Sequence, residues 1–429
     1  MSNEQLAISN EQLAMRNERK QSRLDELIRE LCPDGVEILT ISDIALKFTD
    51  GMHNLPKTSI EKSSYPILSA QNINNGLIDM NASKYIDEDT FNRENKRTNV
   101  EKGDLLLTIV GAIGRVAVVE NNLKALFQRS VCVIKPNNDI VTSRYLRYAL
   151  ESTTVQAFIQ LNAHGAAQKG IYLKDVGKIK IPVPPLPVQS EIVKILDNFT
   201  ELTAELTAEL TARKKQYEFY RNKLLTFGDV RGGATGDVVW RTLSEIAEIS
   251  TGSSNTDDAV EGGRYPFFVR SQQPLAKDEY EYDEEAIITA GDGVGVGKVF
   301  HYINGKYALH QRAYRIHPAT GELLGKYLYH YFVANFPKYI GQQMYQGSVP
   351  SIRRPMLNKF QVAIPSLAVQ ERLVNVLDNF DAICSDLNIG LPAEIEARKK
   401  QYEFYRDALL TYAATGKTIL TDRQTSIVR

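Results

Sequence analysis

Several short polar clusters carry the residue types that read nucleobase edges. Gln128-Arg129 and Gln311-Arg312 each follow a strand-like run. Arginine can donate paired hydrogen bonds to guanine, and glutamine can pair with adenine. His164, Gln168 and Lys169 join imidazole, amide and cation around Gly165; Gln346-Gly347 through Arg353 and Arg354 repeats the mixture. Gln71 and Asn72 lie just after Tyr65-Pro66, as Ser271 and Gln272 lie just after Tyr265-Pro266. Arg115 and Lys298 follow Gly114 and Gly297, where the lack of a side chain lets backbone and cation approach a phosphate. The plain alternative for each cluster is a polar group that caps or solvates the fold.

Catalytic patterns are missing. The sequence holds no His-Glu-x-x-His, no Gly-x-Ser-x-Gly, and no Asn- or Asp-Pro-Pro-aromatic tetrapeptide of the kind used by amino-methylating enzymes. Gly291 to Lys298 imitates a phosphate loop, but Asp292 stands where the first glycine belongs and Val299 replaces the hydroxyl that would hold Mg²⁺. Six histidines are scattered, and Cys32, Cys132 and Cys384 share no metal spacing, so no metal site is expected and the thiols read as reduced. Net charge is −1, so any contact with nucleic acid must come from local patches. No apolar run approaches the ~18–20 residues of a membrane span, and the N-terminus lacks a secretory pattern, which together predict a cytoplasmic protein.

The elements that must position these clusters form one plan written twice. Ala212–Arg221 and Ala397–Arg406 share the same ten residues, ARKKQYEFYR. Val188-Gln189 and Leu196–Phe199 recur as Val369-Gln370 and Leu377–Phe380. Between these copies lie two divergent segments of mixed α/β character. Asp104–Glu120 reads as paired strands around glycines, and Arg144–Leu161 reads as helix. The repeated segments read as long helices, with a seam through Phe199, Leu206, Leu210, Tyr217 and Tyr220 in the first and Phe380, Tyr402 and Tyr405 in the second. That spacing predicts an antiparallel coiled coil with a stutter at the tandem Thr-Ala-Glu-Leu units, Thr203–Leu210. Gly390 and Pro392 predict a break in the second helix. Tyr217 and Tyr220 lie in a basic stretch with Arg213, Lys214, Lys215, Arg221 and Lys223, but their seam positions favour packing.

The expected class is α+β, with a pseudo-two-fold internal repeat. The expected divisions are a helical leader (1–31), a first mixed domain (36–178), a first spacer (185–230), a second mixed domain (237–360), a second spacer (366–415) and a tail (416–429). Within the leader, SNEQLAI and SNEQLAM are consecutive heptads, readable as a coiled coil or as a frayed end.

The duplicated plan, the Pro184–Gln189 approach to the helix, RKKQYEFYR and the tandem Thr-Ala-Glu-Leu units resemble the specificity subunits of type I restriction–modification systems, in the subgroup with Thr-Ala-Glu-Leu spacer repeats. The resemblance implies that each divergent segment is a target recognition domain for half of a split double-stranded DNA site. It implies docking of two methyltransferase subunits for adenine methylation, and of restriction–translocase subunits. It also implies that the N- and C-terminal parts meet. S-adenosylmethionine, ATP and Mg²⁺ would belong to the partners and no cofactor to this chain, which would not be an enzyme by itself. A coiled-coil scaffold without DNA binding is the competing reading, and salt-dependent, sequence-selective binding separates the two.

The tandem units predict a ruler. One more Thr-Ala-Glu-Leu after Leu210 would lengthen a helix by ~6 Å and advance it by a net ~40°. One base pair turns B-DNA by about 36°. The expected result is a split site with unchanged halves and a gap longer by one or two base pairs, read by mapping methylated adenines. An unchanged gap at full activity refutes the ruler.

Overall fold

The computed structural model describes residues 23–58, 65–165, 168–227, 238–342, 350–386 and 390–415. The heptads of the leader and the 416–429 tail lie outside them. Contacts divide the chain into two units, 1–205 with 396–429, and 206–395. The repeated helical segments are therefore not domains of their own. Each is shared between the units, because its apolar residues complete the cores of both.

In the first unit Leu105–Thr108 pairs antiparallel with Val116–Val118 across the glycine-rich turn, as expected. Val131–Pro136 and Ala45–Asp50 extend this sheet to four antiparallel strands. Tyr65–Leu68 forms a second layer, parallel to Leu126–Phe127. The predicted helix over 144–161 is two helices, Ser143–Glu151 and Thr153–Leu161. Ser152 separates them in an extended conformation, and its hydroxyl accepts the Val155 N–H at 3.4 Å, an N-cap that stops one helix and starts the next. In the second unit the two layers merge into six strands, in the order Ala247–Thr251, Ala313–Pro318, Tyr282–Ala290, Phe300–Leu309, Tyr265–Phe268 and Leu275–Lys277. The helix Gly325–Gly341 covers this sheet.

Both units close in the same way. A two-stranded ladder ties the start of each mixed segment to its end: Glu37–Thr40 with Lys180–Val183, and Val239–Thr242 with Gln361–Ile364. The first long helix is Leu186–Leu224; the second segment is split into Leu367–Ser385 and Leu391–Thr415, with the break at the expected glycine and proline. In the first unit Phe199 stacks on Tyr405 at 5.2 Å, and Val188, Ile192 and Leu196 share a core with Leu409, Leu410 and Ala413. In the second unit the partners are exchanged, with Tyr220 stacked on Phe380 at 6.1 Å and Leu225 sharing a core with Leu377. Each unit thus pairs the first half of one repeated segment with the last half of the other, the antiparallel arrangement. Leu206 is buried and Leu210 half-buried. The terminal parts also meet. Leu24 and Ile28 of the helix at 23–31, with Cys32 just after it, lie in the core that contains Leu409 and Ala413, and the Val36 N–H reaches the Ala414 carbonyl at 3.4 Å.

The repeated Val-Gln has a structural cause. Gln189 is fully buried; its carbonyl accepts the Thr142 N–H at 2.9 Å and its amide donates to the Ile140 and Pro184 carbonyls, both at 2.8 Å. Gln370 repeats this with Leu324 N–H, Glu322 and Pro365. The recurring aspartate is also engaged twice: Asp197 accepts from the Tyr148 hydroxyl at 2.6 Å, and Asp378 bonds His330 Nε2 at 2.8 Å. Gln189→Leu or Gln370→Leu keeps the approximate volume but strands three backbone groups, each of which costs about 1–3 kcal/mol when buried and unpaired. Either variant should lower the urea midpoint of unfolding markedly, by at least about 2 kcal/mol of stability. A change within measurement error would remove the amide from its structural role.

Candidate functional site

In each unit the predicted loops converge, through backbone hydrogen bonds, at one end of the sheet. In the first unit the bend after Phe127 is held from both sides: Gln128 N–H donates to the Leu68 carbonyl and Arg129 N–H to Met52, each at 2.9 Å. Ile109 N–H reaches the Ser130 carbonyl at 2.8 Å, Gly111 N–H reaches Lys169 at 2.9 Å, and Ile171 N–H reaches Ile109 at 2.9 Å. The 69–72 turn joins them, because Ala70 N–H donates to the Ser130 hydroxyl at 3.1 Å. Gln71, Arg115, Arg129, His164, Gln168 and Lys169 are exposed around this junction, and Gln128 is half-buried. His164 stacks on Tyr172 at 5.2 Å. Gly111 has φ of 83°, a left-handed conformation that a side chain would strain.

The second unit repeats the same bonds. His310 N–H donates to Phe268 and Gln311 N–H to Ser254, each at 2.9 Å; Gly291 N–H reaches Arg312 at 2.8 Å; Gly293 N–H reaches Pro350 at 2.9 Å; Ile352 N–H reaches Gly291 at 2.7 Å. These bonds set the equivalences and correct the sequence pairing by one residue. Gln128 corresponds to His310, Arg129 to Gln311, and Ser130 to Arg312. The shared letters Gln-Arg would pair Gln128 with Gln311, whereas the ladder sets the register. Lys169 likewise corresponds to Pro350, and Arg353 to Tyr172, each pair standing at the same backbone position before a short helix.

The other predicted residues divide into free and engaged groups. Ser271, Gln272, Lys298, Arg353 and Arg354 are exposed; the Ser271 hydroxyl donates to the Gln273 carbonyl at 2.6 Å. Gln346 lies outside the described residues. Asn72 is not available as a base reader. Its amide donates to the Asp79 and Asn81 carbonyls at 3.0 and 2.8 Å, and its carbonyl accepts the Ser69 N–H at 3.0 Å. Gln311 is tied through its amide to the Asn255 side chain.

Sequence reasoning missed two features. Arg270 and Asp292 lie beside Arg312: Arg270 Nη1 is 2.5 Å from Asp292 Oδ1, and Arg312 Nη1 is 3.4 Å from Asp292 Oδ2. The failed phosphate-loop pattern held the only hint, an aspartate where glycine was expected. On the helices, Tyr217, Tyr220, Tyr402 and Tyr405 are engaged within their units. Burial pushes the Tyr217 hydroxyl up to about 12, and the Tyr402 hydroxyl donates to Glu151 at 3.2 Å. The decapeptide's phenylalanine is exposed in both copies, Phe219 at 60% and Phe404 at 39%; Tyr220 is exposed as well, at 38%, while Tyr217, Tyr402 and Tyr405 are half-buried.

Residues 33–213 and 236–397 match the family described as the type I restriction modification DNA specificity domain. The chain belongs to this family. It is 35% identical over 262 residues to the EcoR124I/EcoR124II type I specificity subunit of Escherichia coli, an alignment covering 55% of this chain and 63% of that protein, less than two thirds of its length. The fold is similar to a solved chain of a type I restriction–modification complex (TM-score 0.54, 16% identity, 90% of this chain and 99% of that one). It is also similar to the crystal structure of the S subunit from M. genitalium (TM-score 0.50, 17% identity, 89% and 96%). Both structures support the fold alone. Among the described residues, no group of side chains could hold a metal ion, and no helix is long and apolar enough to cross a membrane.

Two buried histidines give the second unit a pH dependence. Burial pulls His330 and His310 below the usual imidazole value; Asp378 opposes this for His330, and Arg270 and Arg312 add to it for His310. Both groups bind protons more weakly when folded than when unfolded, where imidazole titrates near about 6.5. Their contribution is complete above that pH and is lost as pH falls through the lower folded values. Unfolding midpoints measured from pH 7.5 to 5.5 should fall, and less steeply in His330→Asn. An equal slope in both proteins would remove His330 from the account.

Proposed function

We propose that this chain is the DNA-recognition subunit of a type I restriction–modification complex. Each unit reads one half of a bipartite double-stranded site with its converged loops. The chain itself performs no catalysis. Two methyltransferase subunits bring S-adenosylmethionine, and restriction–translocase subunits bring ATP and Mg²⁺, in the cytoplasm. The observation that carries this reading is the repeated loop junction. The same backbone bonds gather glycine, amide and cation in both units, while the side chains presented there differ. A conserved frame with divergent contact residues suits two different half-sites.

Docking of two partners is supported by the identical decapeptides. Three of their four tyrosines are half-buried in packing, and the residue turned outward in both copies is the phenylalanine. Phe219 and Phe404 occupy the same position in each copy, and two equal sites imply two copies of one partner. Reconstitution with the methyltransferase should give adenine methylation at one split site and two partners per chain. Phe219→Ala or Phe404→Ala should weaken one docking site, leaving one tightly held partner in native mass spectra. Methyl transfer by this chain alone would sink the non-catalytic assignment, and two full-affinity partners on the double variant would sink the docking surface.

A further inference from the structure

The two loop junctions share a backbone but carry opposite chemistry at three matched positions. In the first unit these are Ala70, Val110 and Ser130; in the second they are Arg270, Asp292 and Arg312. The match is set by the ladder. Gln128 N–H and His310 N–H donate to Leu68 and Phe268, two residues before Ala70 and Arg270. Val110 and Asp292 occupy equivalent bridges, to Gly170 and to Ser351. Ser130 and Arg312 both accept the N–H that follows the central strand, from Ile109 and Gly291. The first unit thus presents small neutral groups where the second presents two cations gripping one carboxylate.

We infer that Arg270 and Arg312, held by Asp292, read guanine in the half-site of the second unit, and that the first unit makes no such contact at its matched position. The inference rests on the recognition reading above. Asp292 takes one Nη1 from each guanidinium, at 2.5 and 3.4 Å. Among the described residues the Nε–Nη2 edge of each arginine has no other partner, and that edge can donate two parallel hydrogen bonds to O6 and N7 of guanine. Arg312 is anchored at its root, because its N–H donates to His310 Nδ1 at 2.9 Å and His310 is buried. The side chains are 39% and 59% exposed, reachable yet restrained. A phosphate clamp would gain nothing from a carboxylate at its centre, since Asp292 repels the phosphate and neutralises half of the positive charge. Orientation of a planar donor toward a neutral base edge is what such a carboxylate supplies. Asp292 is therefore a positioning residue. It sits where the glycine on either side permits a tight bend, Gly293 having φ of 81°.

The test is selection of bound duplexes from a random-sequence library by the full chain, followed by affinities over a salt series. Wild type should select a two-part site with a required G·C pair in one half. Arg312→Gln should relax that position on the order of 10- to 100-fold, or turn it toward A·T, because glutamine matches adenine. Arg270→Ala should relax the same or the adjacent position, and the other half-site should stay unchanged. Asp292→Asn should weaken the guanine preference while strengthening binding to unrelated DNA, as freed arginines turn to phosphate. All three residues are at least partly exposed, so these variants retain the fold. If a two-part site is selected but both arginine variants weaken all sequences evenly, with a shallower salt slope, the contact is to phosphate. The guanine assignment then falls while the recognition reading stands. If wild type selects no two-part site, both fall.

Discussion

One buried side-chain amide in each unit governs how a mixed α/β body meets a helix. Gln189 and Gln370 sit at the first turn of their helices with no solvent to satisfy them. The carbonyl of each accepts the backbone N–H just before a helix of the mixed segment, Thr142 before Ser143–Glu151 and Leu324 before Gly325–Gly341, and its amide donates to two carbonyls. Only one placement of the helix against the sheet meets all three demands. The aspartate eight residues on then reaches Tyr148 in one unit and His330 in the other, and a buried tyrosine, Tyr145 or Tyr327, donates to the strand that leads into the helix. Because polar groups buried without partners are costly, this junction is rigid, and the direction of each long helix follows from it.

A rigid frame lets the loop ends diverge. The bonds that gather the loops run between backbone groups, which any side chain can supply. Ala70 can stand where Arg270 stands, or Val110 where Asp292 stands, without disturbing the ladder. On the proposed reading, this is how a nearly neutral chain would hold base-reading chemistry. The net charge of −1 conceals a local arrangement in which one half-buried and one exposed arginine share one aspartate.

The helices show the converse. Their repeated residues have two faces, one packed inward and one turned outward. Tyr405 stacks on Phe199 and Tyr220 on Phe380, each within its own unit. The phenylalanine of the decapeptide faces out in both copies. Packing by itself tolerates substitution among apolar residues of similar size, so identity extending to an exposed aromatic supports the proposed partner surface.

Much of this was legible in the sequence by itself, because repetition and apolar spacing are local properties. The duplicated plan, the paired strands around Gly111–Gly114, the seam through Phe199 and Tyr405, and the break at Gly390 all follow from period and residue type. Tertiary structure alone decided which residues are free to act. Asn72 reads as a base reader in sequence, but three internal hydrogen bonds consume it. Gln128-Arg129 matches Gln311-Arg312 by letter, yet the ladder shifts the match by one and sets Ser130 against Arg312. Arg270 and Asp292 are 22 residues apart, with nothing in sequence to join them until the sheet brings their loops together. The physical reason is common to all three. A side chain's availability depends on hydrogen bonds made across distant segments, and these are set by register, which residue types along one chain do not encode locally.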